Sequence, residues 1–111
     1  MNNKYGNRKT KLYDVVFDSA AEAERYLALK DMAERGEITD LVLQPEFEIL
    51  PSFSCRGDNY RSINYRPDFG YTENGVHVVE DVKGFATDVF LMKAKLFRYR
   101  YPDIELRIVE A

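Results

Sequence analysis

The chain has 111 residues, of which 45% are hydrophobic, and its 8 tyrosines and 7 phenylalanines are enough for the core of one small domain. One cysteine and one histidine exclude an intramolecular disulfide and a Cys/His zinc site. The formal net charge of −3 excludes a generically basic nucleic-acid binder. Because the sequence shows no membrane-span-length apolar run and no signal-peptide pattern, we expect a cytoplasmic protein.

The N-terminal segment is polar and basic. Residues 1–11 include Lys9 and Lys11 and have no hydrophobic period, which predicts a flexible basic arm. An ordinary solvated terminus fits the same pattern. A single domain is expected to follow over residues 12–111, beginning with a short strand from Leu12 to Phe17.

A helix is predicted from Asp18 or Ser19 to about Arg35, with Gly36 as its stop signal. One stripe of this helix carries Glu22 together with apolar residues at helical spacing, whereas Glu24 belongs to a polar stripe. We therefore expect Glu22 to point towards the protein body and Glu24 towards water. The spacing of Ser19 and Glu22 also fits a capping box, which leaves Glu22 with a purely structural alternative.

Strand patterns fill the middle of the chain. Residues 39–50 alternate as one long strand in which Pro45 predicts an edge or a bend, and residues 51–59 are expected to form a loop. Strands over residues 60–71 and 76–83 are joined by Asn74-Gly75, a strong hairpin signal. A second helix from Thr87 or Asp88 to before Pro102 and a strand over residues 104–108 complete one mixed α/β domain.

The second predicted helix carries two neighbouring apolar stripes, one with Val89 and Met92 and the other with Phe90 and Phe97. Its basic side chains occupy the remaining surface. Lys93 and Lys95 are either solvated helix charges or contacts to phosphate groups.

The Asn74-Gly75 turn predicts a pairing register. If these two residues form a two-residue turn, Asp68 lies opposite Asp81 and Arg66 opposite Lys83, and all four side chains share one face. Opposed Cβ atoms are roughly 4.5–5.5 Å apart, so the two carboxylates would repel each other in the absence of a cation.

This geometry predicts a divalent-metal site for phosphodiester chemistry. Mg²⁺ prefers oxygen ligands and commonly binds through one or two carboxylates plus substrate phosphates. Lys83 could orient or deprotonate a water or stabilise charge on the phosphate, and Gln44 could orient a water or be an exposed strand residue. An ordinary cross-strand charge network is the structural alternative. Glu80 has the opposite parity to Asp81, so it is not expected to be a primary ligand.

The order Pro67-Asp68, then Asp81-Val82-Lys83, with an upstream glutamate on a helix, resembles the PD-(D/E)xK nuclease superfamily. The blocks Phe17-Asp18-Ser19, Leu43-Gln44-Pro45 and Thr87-Asp88-Val89 extend the resemblance to a family of short phage and prophage proteins similar to Holliday-junction resolvases.

The resemblance implies a restriction-endonuclease-like αβββαβ core with a mixed sheet flanked by two helices. It also implies Glu22, Asp68 and Asp81 as ligands of Mg²⁺, with Mn²⁺ as the expected substitute, and Lys83 as the catalytic lysine. We therefore expect a metal-dependent DNA endonuclease, selective for branched DNA, in phage replication or recombination within the bacterial cytoplasm. Relatives of this kind are typically homodimers.

The candidate contacts to DNA are basic side chains from four parts of the chain: Lys9, Lys11, Arg66, Lys93 and Lys95. Two other functions compete with junction cleavage. One is a non-catalytic nuclease-fold module that binds DNA or protein in a phage or mobile element. The other is a different phosphodiester activity, such as flap trimming or nicking of ordinary duplex.

Overall fold

A computed structural model describes residues 9–12 and 15–111. In chain order the elements are β1 (Thr10–Leu12), β2 (Val15–Phe17), α1 (Ala20–Glu34), β3 (Thr39–Leu43), β4 (Phe47–Leu50), β5 (Phe53–Cys55), β6 (Asp58–Tyr60), β7 (Ile63–Tyr65), β8 (Phe69–Glu73), β9 (Val76–Lys83), α2 (Asp88–Arg100) and β10 (Ile104–Glu110). The fold is thus mixed α/β with two helices, as predicted.

The central sheet has four strands in the order β10-β9-β8-β3. Strands β9 and β10 are parallel, whereas β8 pairs antiparallel with both β9 and β3, so the sheet is mixed. The predicted hairpin is confirmed: Glu73 pairs with Val76, and Asn74 and Gly75 adopt φ values of 51° and 78°. These positive φ values are what a type I′ turn requires, and Asn-Gly is the pair that tolerates them best.

Two cores lie on opposite faces of this sheet. Val78 packs in a cluster with Leu29 of α1 and Phe69, whereas its neighbour Val79 packs in a second cluster with Phe97 of α2. Because successive strand residues point to opposite faces, the two clusters place α1 and α2 on different sides of β9.

Helix α1 begins and ends where the sequence predicts. Ser19 is the N-cap and its side chain accepts a hydrogen bond of 3.2 Å from the Glu22 backbone N–H, while Gly36 follows the helix with φ 78°. Glu22 is buried and Glu24 is exposed, which confirms the predicted orientation of the two side chains.

The N-terminal prediction is partly wrong. Residues 1–8 of the predicted arm lie outside the described residues, but Thr10 and Lys11 belong to β1, which pairs antiparallel with β2. The expected single strand from Leu12 to Phe17 is instead divided between two strands, since Leu12 ends β1 and only Val15–Phe17 form β2. Alternation between β1 and β2 could not be recognised from sequence because each strand has only three residues.

The two long strands predicted for the middle of the chain are also wrong. Residues 44–46 separate β3 from β4, and residues 66–68 separate β7 from β8, so β4 and β7 leave the central sheet and pair with each other. Prolines at positions 45 and 67 lie in these two breaks, where a missing backbone N–H interrupts a ladder. The bend predicted at Pro45 is confirmed, and β3 is an edge strand. The predicted loop at 51–59 instead contains β5 and the start of β6.

Helix α2 has the predicted limits, and the Thr87 side chain accepts a 3.1 Å hydrogen bond from the Phe90 backbone N–H. Only the stripe of Phe90 and Phe97 is buried. Val89 and Met92 of the other stripe are exposed, because α2 contacts the sheet and the β4–β7 pair through one face. Neither helix among the described residues is long and apolar enough to cross a membrane.

Candidate functional site

An open cleft of about 700 Å³ lies where the breaks in the two long strands meet the end of β9. Its acidic side chains come from four elements or connections, and three basic side chains face them: Asp18, Glu46, Asp68, Asp81, Arg66, Lys83 and Lys93 line the cleft. Polar atoms predominate in the wall, which suits a charged, hydrated ligand.

Asp68 is held from three directions. Its backbone N–H donates to the Glu80 carbonyl at 2.9 Å, and its carbonyl accepts from the Gln44 N–H at 2.9 Å. Its carboxylate oxygen Oδ2 accepts from the Val82 backbone N–H at 2.7 Å. These bonds fix the carboxyl group beside β9, although Asp68 itself precedes β8.

The predicted register is therefore right within the hairpin and wrong at its end. The ladder stops at the pair Phe69 and Glu80, so Asp68 is not a ladder partner of Asp81. Arg66 is likewise not opposite Lys83: it lies 3.5 Å from Glu46, and Lys83 pairs with Glu110 of β10. The chain leaves the β8–β9 ladder at Pro67, and the alternation of residue types in the sequence does not predict this departure.

Glu22 approaches Asp68 from α1 and is only 6% exposed. The pKa of Asp68 is raised to about 8, mainly by burial. The Val82 N–H opposes the rise, and the negative charges of Asp81 and Glu22 add to it. Burial also raises the pKa of Glu22, and a hydrogen bond with Asp68 opposes this rise. Three acids thus crowd one end of the sheet, and the pKa values of Glu22 and Asp68 are both raised.

Asp81 and Lys83 lie on the same face of β9, as their spacing predicts. The Lys83 ammonium group lies 3.4 Å from Asp81 Oδ1 and 4.6 Å above the ring of Phe90. The Tyr65 hydroxyl donates to Asp81 Oδ2 at 2.5 Å. Burial and this bond to the carboxylate raise the pKa of Tyr65, which keeps the phenol a donor at neutral pH. Asp81 is only 3% exposed, yet it lines the cleft. Its carboxylate therefore faces the cleft with little contact to bulk water.

Glu80 occupies the other face of β9, as its parity predicts. Its carboxylate is fully buried and accepts two hydrogen bonds of 2.7 Å from the guanidinium of Arg25 on α1. The Tyr71 hydroxyl also donates to it. This carboxylate is neutralised within the protein and does not line the cleft.

The remaining predicted site residues divide into two groups. Gln44, Arg66 and Lys93 line the cleft, whereas Lys9, Lys11 and Lys95 do not. Lys95 is exposed and lies two residues from Lys93, which places it about 200° around the helix from that side chain. Gln44 adopts φ 49°, a left-handed conformation unusual for glutamine, at the point where the chain leaves the central sheet.

Seven residues that line the cleft were not predicted as site residues: Asp18, Glu46, Asn64, Tyr65, Thr87, Val89 and Phe90. Tyr65 has the pattern of a core or strand-pairing residue, yet its hydroxyl group is bonded to Asp81. Asp18 and Thr87 line the cleft although the sequence suggested only helix-start roles for them. Asp18 and Thr87 share one sequence signal, which is their position at the start of a predicted helix.

A divalent cation at this site would need several oxygen ligands. Within residues 9–12 and 15–111, no group of three or more His, Cys, Asp or Glu side chains is already arranged to hold a metal ion. Asp68 and Asp81 each use Oδ2 for a donor of the protein. The chemistry nevertheless fits Mg²⁺, which requires few protein oxygens, retains waters and takes further ligands from phosphate groups. A cation would also relieve the repulsion that raises the pKa of Asp68.

Comparison with known proteins gives a family but no characterised relative. No curated protein and no solved structure matches the chain. One family, described as "Protein of unknown function (DUF1064)", matches residues 2–111. The chain therefore belongs to the DUF1064 family.

Proposed function

We propose that this protein is a Mg²⁺-dependent DNA endonuclease of the PD-(D/E)xK type. The observation that carries the proposal is that Asp68, Asp81 and Lys83 line one cleft, while the buried Glu22 of α1 interacts with Asp68 from beside it. Three carboxyl groups come from different segments, and the pKa of Asp68 is raised to about 8 largely by burial and its acidic neighbours. Such crowding is costly to a fold and is typical of sites that bind a cation or perform acid–base chemistry.

The order of elements supports the same proposal. When the strands outside the central sheet (β1, β2 and β4 to β7) are left aside, the remaining elements are α1, β3, β8, β9, α2 and β10, in the order α, β, β, β, α and β. This order matches the αβββαβ core of the restriction-endonuclease-like fold that the motif implies. The parallel pairing of β9 with β10 across α2 gives the mixed sheet expected of that core.

Each side chain has a role that its position allows. Asp68 and Asp81 would hold the cation, and Glu22 would be the third ligand, next to Asp68. The Tyr65 hydroxyl orients the Asp81 carboxylate. Bound Mg²⁺ would supply Lewis-acid stabilisation of phosphate charge and a lower pKa for a water ligand. Lys83 is positioned to orient or deprotonate the attacking water or to stabilise charge on the phosphate. Gln44 would orient the water, and Arg66 and Lys93 would bind flanking phosphates.

The proposed substrate is branched DNA, with a four-way junction as the first candidate. The support for this finer step is the resemblance of the sequence blocks to junction resolvases. A homodimer would present two such sites to two strands. Sedimentation of the protein with and without a four-way junction tests that arrangement, and a monomer on the junction would contradict it.

The decisive experiment is cleavage of four-way junction, flap, linear duplex and single-stranded DNA, with and without Mg²⁺. Metal-dependent cleavage with preference for the junction is the expected result. The absence of metal-dependent cleavage on all four substrates would overturn the proposal and favour a binding module. Equal cleavage of the linear duplex would keep the nuclease and remove the preference for branches.

Variants identify the residues responsible. Asp68→Asn and Lys83→Ala should each reduce the cleavage rate by about 10²-fold or more, since they remove a ligand and a charge that act at the reacting phosphate. Glu24→Gln is the matched control, because this exposed acid lies two residues after Glu22 and on the polar stripe of the same helix. It should cut at the parental rate. Retained cutting by Lys83→Ala would show that its role is assigned wrongly.

A further inference from the structure

A two-stranded antiparallel ribbon extends from one wall of the cleft. Its inner part is the β4–β7 pair and its outer part is the β5–β6 pair. Leu50↔Ile63 at the outer end of the β4–β7 pair has the same register as the β5–β6 pair, whereas a register shift between Glu48 and Leu50 sets the base of the β4–β7 pair off by one residue. We call residues 47–65 the ribbon arm. The loop predicted here is therefore a continuous structural element with a turn at Arg56-Gly57.

The outer half of the ribbon arm stands away from the rest of the described protein. Strands β5 and β6 contact each other and no other described element, and all six of their residues are exposed. Its stiffness comes from cross-strand pairs: the rings of Phe53 and Tyr60 stack at 5.0 Å and 14°, and the Ser54 hydroxyl donates to Asn59 at 2.6 Å. A hairpin without a core is marginally stable in water, so this half would gain from a partner surface.

The chemistry of the outer half favours a polyanion. Residues 51–62 contain two arginines, Arg56 at the turn and Arg61, against one acid, Asp58. Within the described part of the chain neither arginine forms an ion pair, unlike Arg66 and Arg100, which face Glu46 and Glu48 at the base. Guanidinium groups without an acidic partner are well suited to bind phosphate oxygens.

The inner end of the ribbon arm is part of the cleft wall, since Glu46, Asn64 and Tyr65 line it. Asp58 at the turn lies seven positions before Tyr65 in the chain. At roughly 3.4 Å per strand residue, the arm reaches up to about 24 Å from the cleft. This is about seven steps of a DNA duplex at about 3.4 Å each. A DNA duplex bound at the cleft is therefore long enough to extend along the ribbon arm.

We propose that the ribbon arm binds duplex DNA in the groove next to the phosphate held at the cleft. A two-stranded ribbon has the width that the major groove of B-form DNA admits, and Arg56 and Arg61 would contact the phosphates at its edges. The proposal rests on the proposed function for the position of the reacting phosphate. Contact by the arm itself requires only that the protein binds DNA.

The single cysteine provides the test, because Cys55 lies on β5 beside the turn and is exposed. The thiol is labelled with a photoactivatable crosslinker in the Asp68→Asn protein, which is then bound to long duplex and junction DNA with Mg²⁺. The label should crosslink to duplex about seven base pairs from the cut that the parent protein makes. The control carries Cys55→Ser and Glu37→Cys, which moves the label to an exposed site beyond the C-terminal end of α1. Equal crosslinking from both positions, or crosslinking from Cys55 to another protein chain, would overturn the proposal.

A second measurement does not depend on the label. Arg56→Ala with Arg61→Ala should weaken binding to a long duplex arm about tenfold and reduce the slope of log K against log salt by about 2. The same pair should change little when the duplex arm is shortened to about four base pairs, because the outer half then has no partner. Arg35→Ala, an exposed arginine elsewhere, should leave both affinities unchanged.

The outcomes separate the two proposals. Unchanged binding in the arginine variant, with cleavage intact, would remove the ribbon arm contact and leave the nuclease. Crosslinking and weakened binding without metal-dependent cleavage by the parent protein would remove the nuclease and leave the ribbon arm as a duplex-binding element.

Discussion

Glu80 and Asp81 are adjacent in β9 and both are buried, yet their carboxylates lie in opposite environments. Glu80 is fully buried on the α1 side, where Arg25 donates two hydrogen bonds and Tyr71 a third. Asp81 is 3% exposed on the other side, where Tyr65 and Lys83 are its partners and an open cleft begins.

The difference between the two carboxylates teaches that burial alone does not identify a functional acid. Glu80 has a complete set of donors, so its charge is matched inside the fold and it joins α1 to the sheet. Asp81 belongs to a group of three acids with one nearby lysine, and that imbalance is matched only by an added proton or cation. The unmatched group is the candidate for chemistry.

Breaking the ion pair between Arg25 and Glu80 should have the largest effect on stability. Arg25→Met leaves the Glu80 carboxylate buried without its cation, which should reduce the free energy of unfolding by about 3 kcal/mol. Urea unfolding at pH 7 measures this loss. Arg35→Met is the control, since Arg35 and Asp31 are 58% and 62% exposed and such a pair contributes less than about 1 kcal/mol. If both variants are equally mild, the two sides of β9 do not differ as described.

Removing one negative charge from the group of Glu22, Asp68 and Asp81 should instead increase the free energy of unfolding. The folded pKa of Asp68, about 8, lies above its ordinary value of 3.8, so the folded state binds the proton more tightly than the unfolded chain. The resulting stabilisation is complete below about pH 4 and is lost as the pH rises through 8. Asp68→Asn retains an acceptor for the Val82 N–H and removes the charge, so without metal at pH 8 it should be more stable than the parent by about 1–2 kcal/mol.

Urea unfolding of the Asp68→Asn variant and the parent from pH 4 to pH 9, with a chelator present, tests this prediction. Asp31→Asn, at an exposed helix position, is the control and should follow the parental curve. The prediction would be contradicted if the free energy of unfolding of the parent increased between pH 5 and pH 8 while that of Asp68→Asn did not.

Adding Mg²⁺ should sharpen the contrast further. A cation bound only by the folded state stabilises it by about 1.4 kcal/mol when its concentration is ten times the Kd. The thermal midpoint of the parent and of Arg35→Met should therefore rise with Mg²⁺, while Asp81→Asn should show little rise because it lacks one ligand. The same rise in Asp81→Asn would locate the bound cation elsewhere.

The smallest expected effects come from the two phenols. Tyr65→Phe and Tyr71→Phe each remove one donor to a buried carboxylate and should each cost about 1 kcal/mol of stability. Only Tyr65→Phe should shift the Mg²⁺ concentration needed for stabilisation or cleavage, because only Asp81 belongs to the acidic cluster. An equal shift in both variants would show that the two carboxylates are coupled through β9.

Local signals correctly predicted several of the elements around the candidate site. The caps at Ser19 and Thr87, the Asn74-Gly75 turn and the phase of Glu22 all depend on residues within a few positions of one another. The position of Asp68 was only partly predicted, because the chain leaves the ladder at Pro67 and the side chain reaches Val82 by a route that alternation does not describe.

The sequence by itself determined the helix limits, the hairpin register and the shared face of Asp81 and Lys83, because backbone period and turn chemistry are local properties. Only the tertiary structure decided which carboxylate is neutralised. The partner of Glu80 lies 55 positions away in the chain and that of Asp81 lies 16 positions away. Such pairings arise from the packing of α1 and of the ribbon arm against β9, and no short-range pattern encodes them.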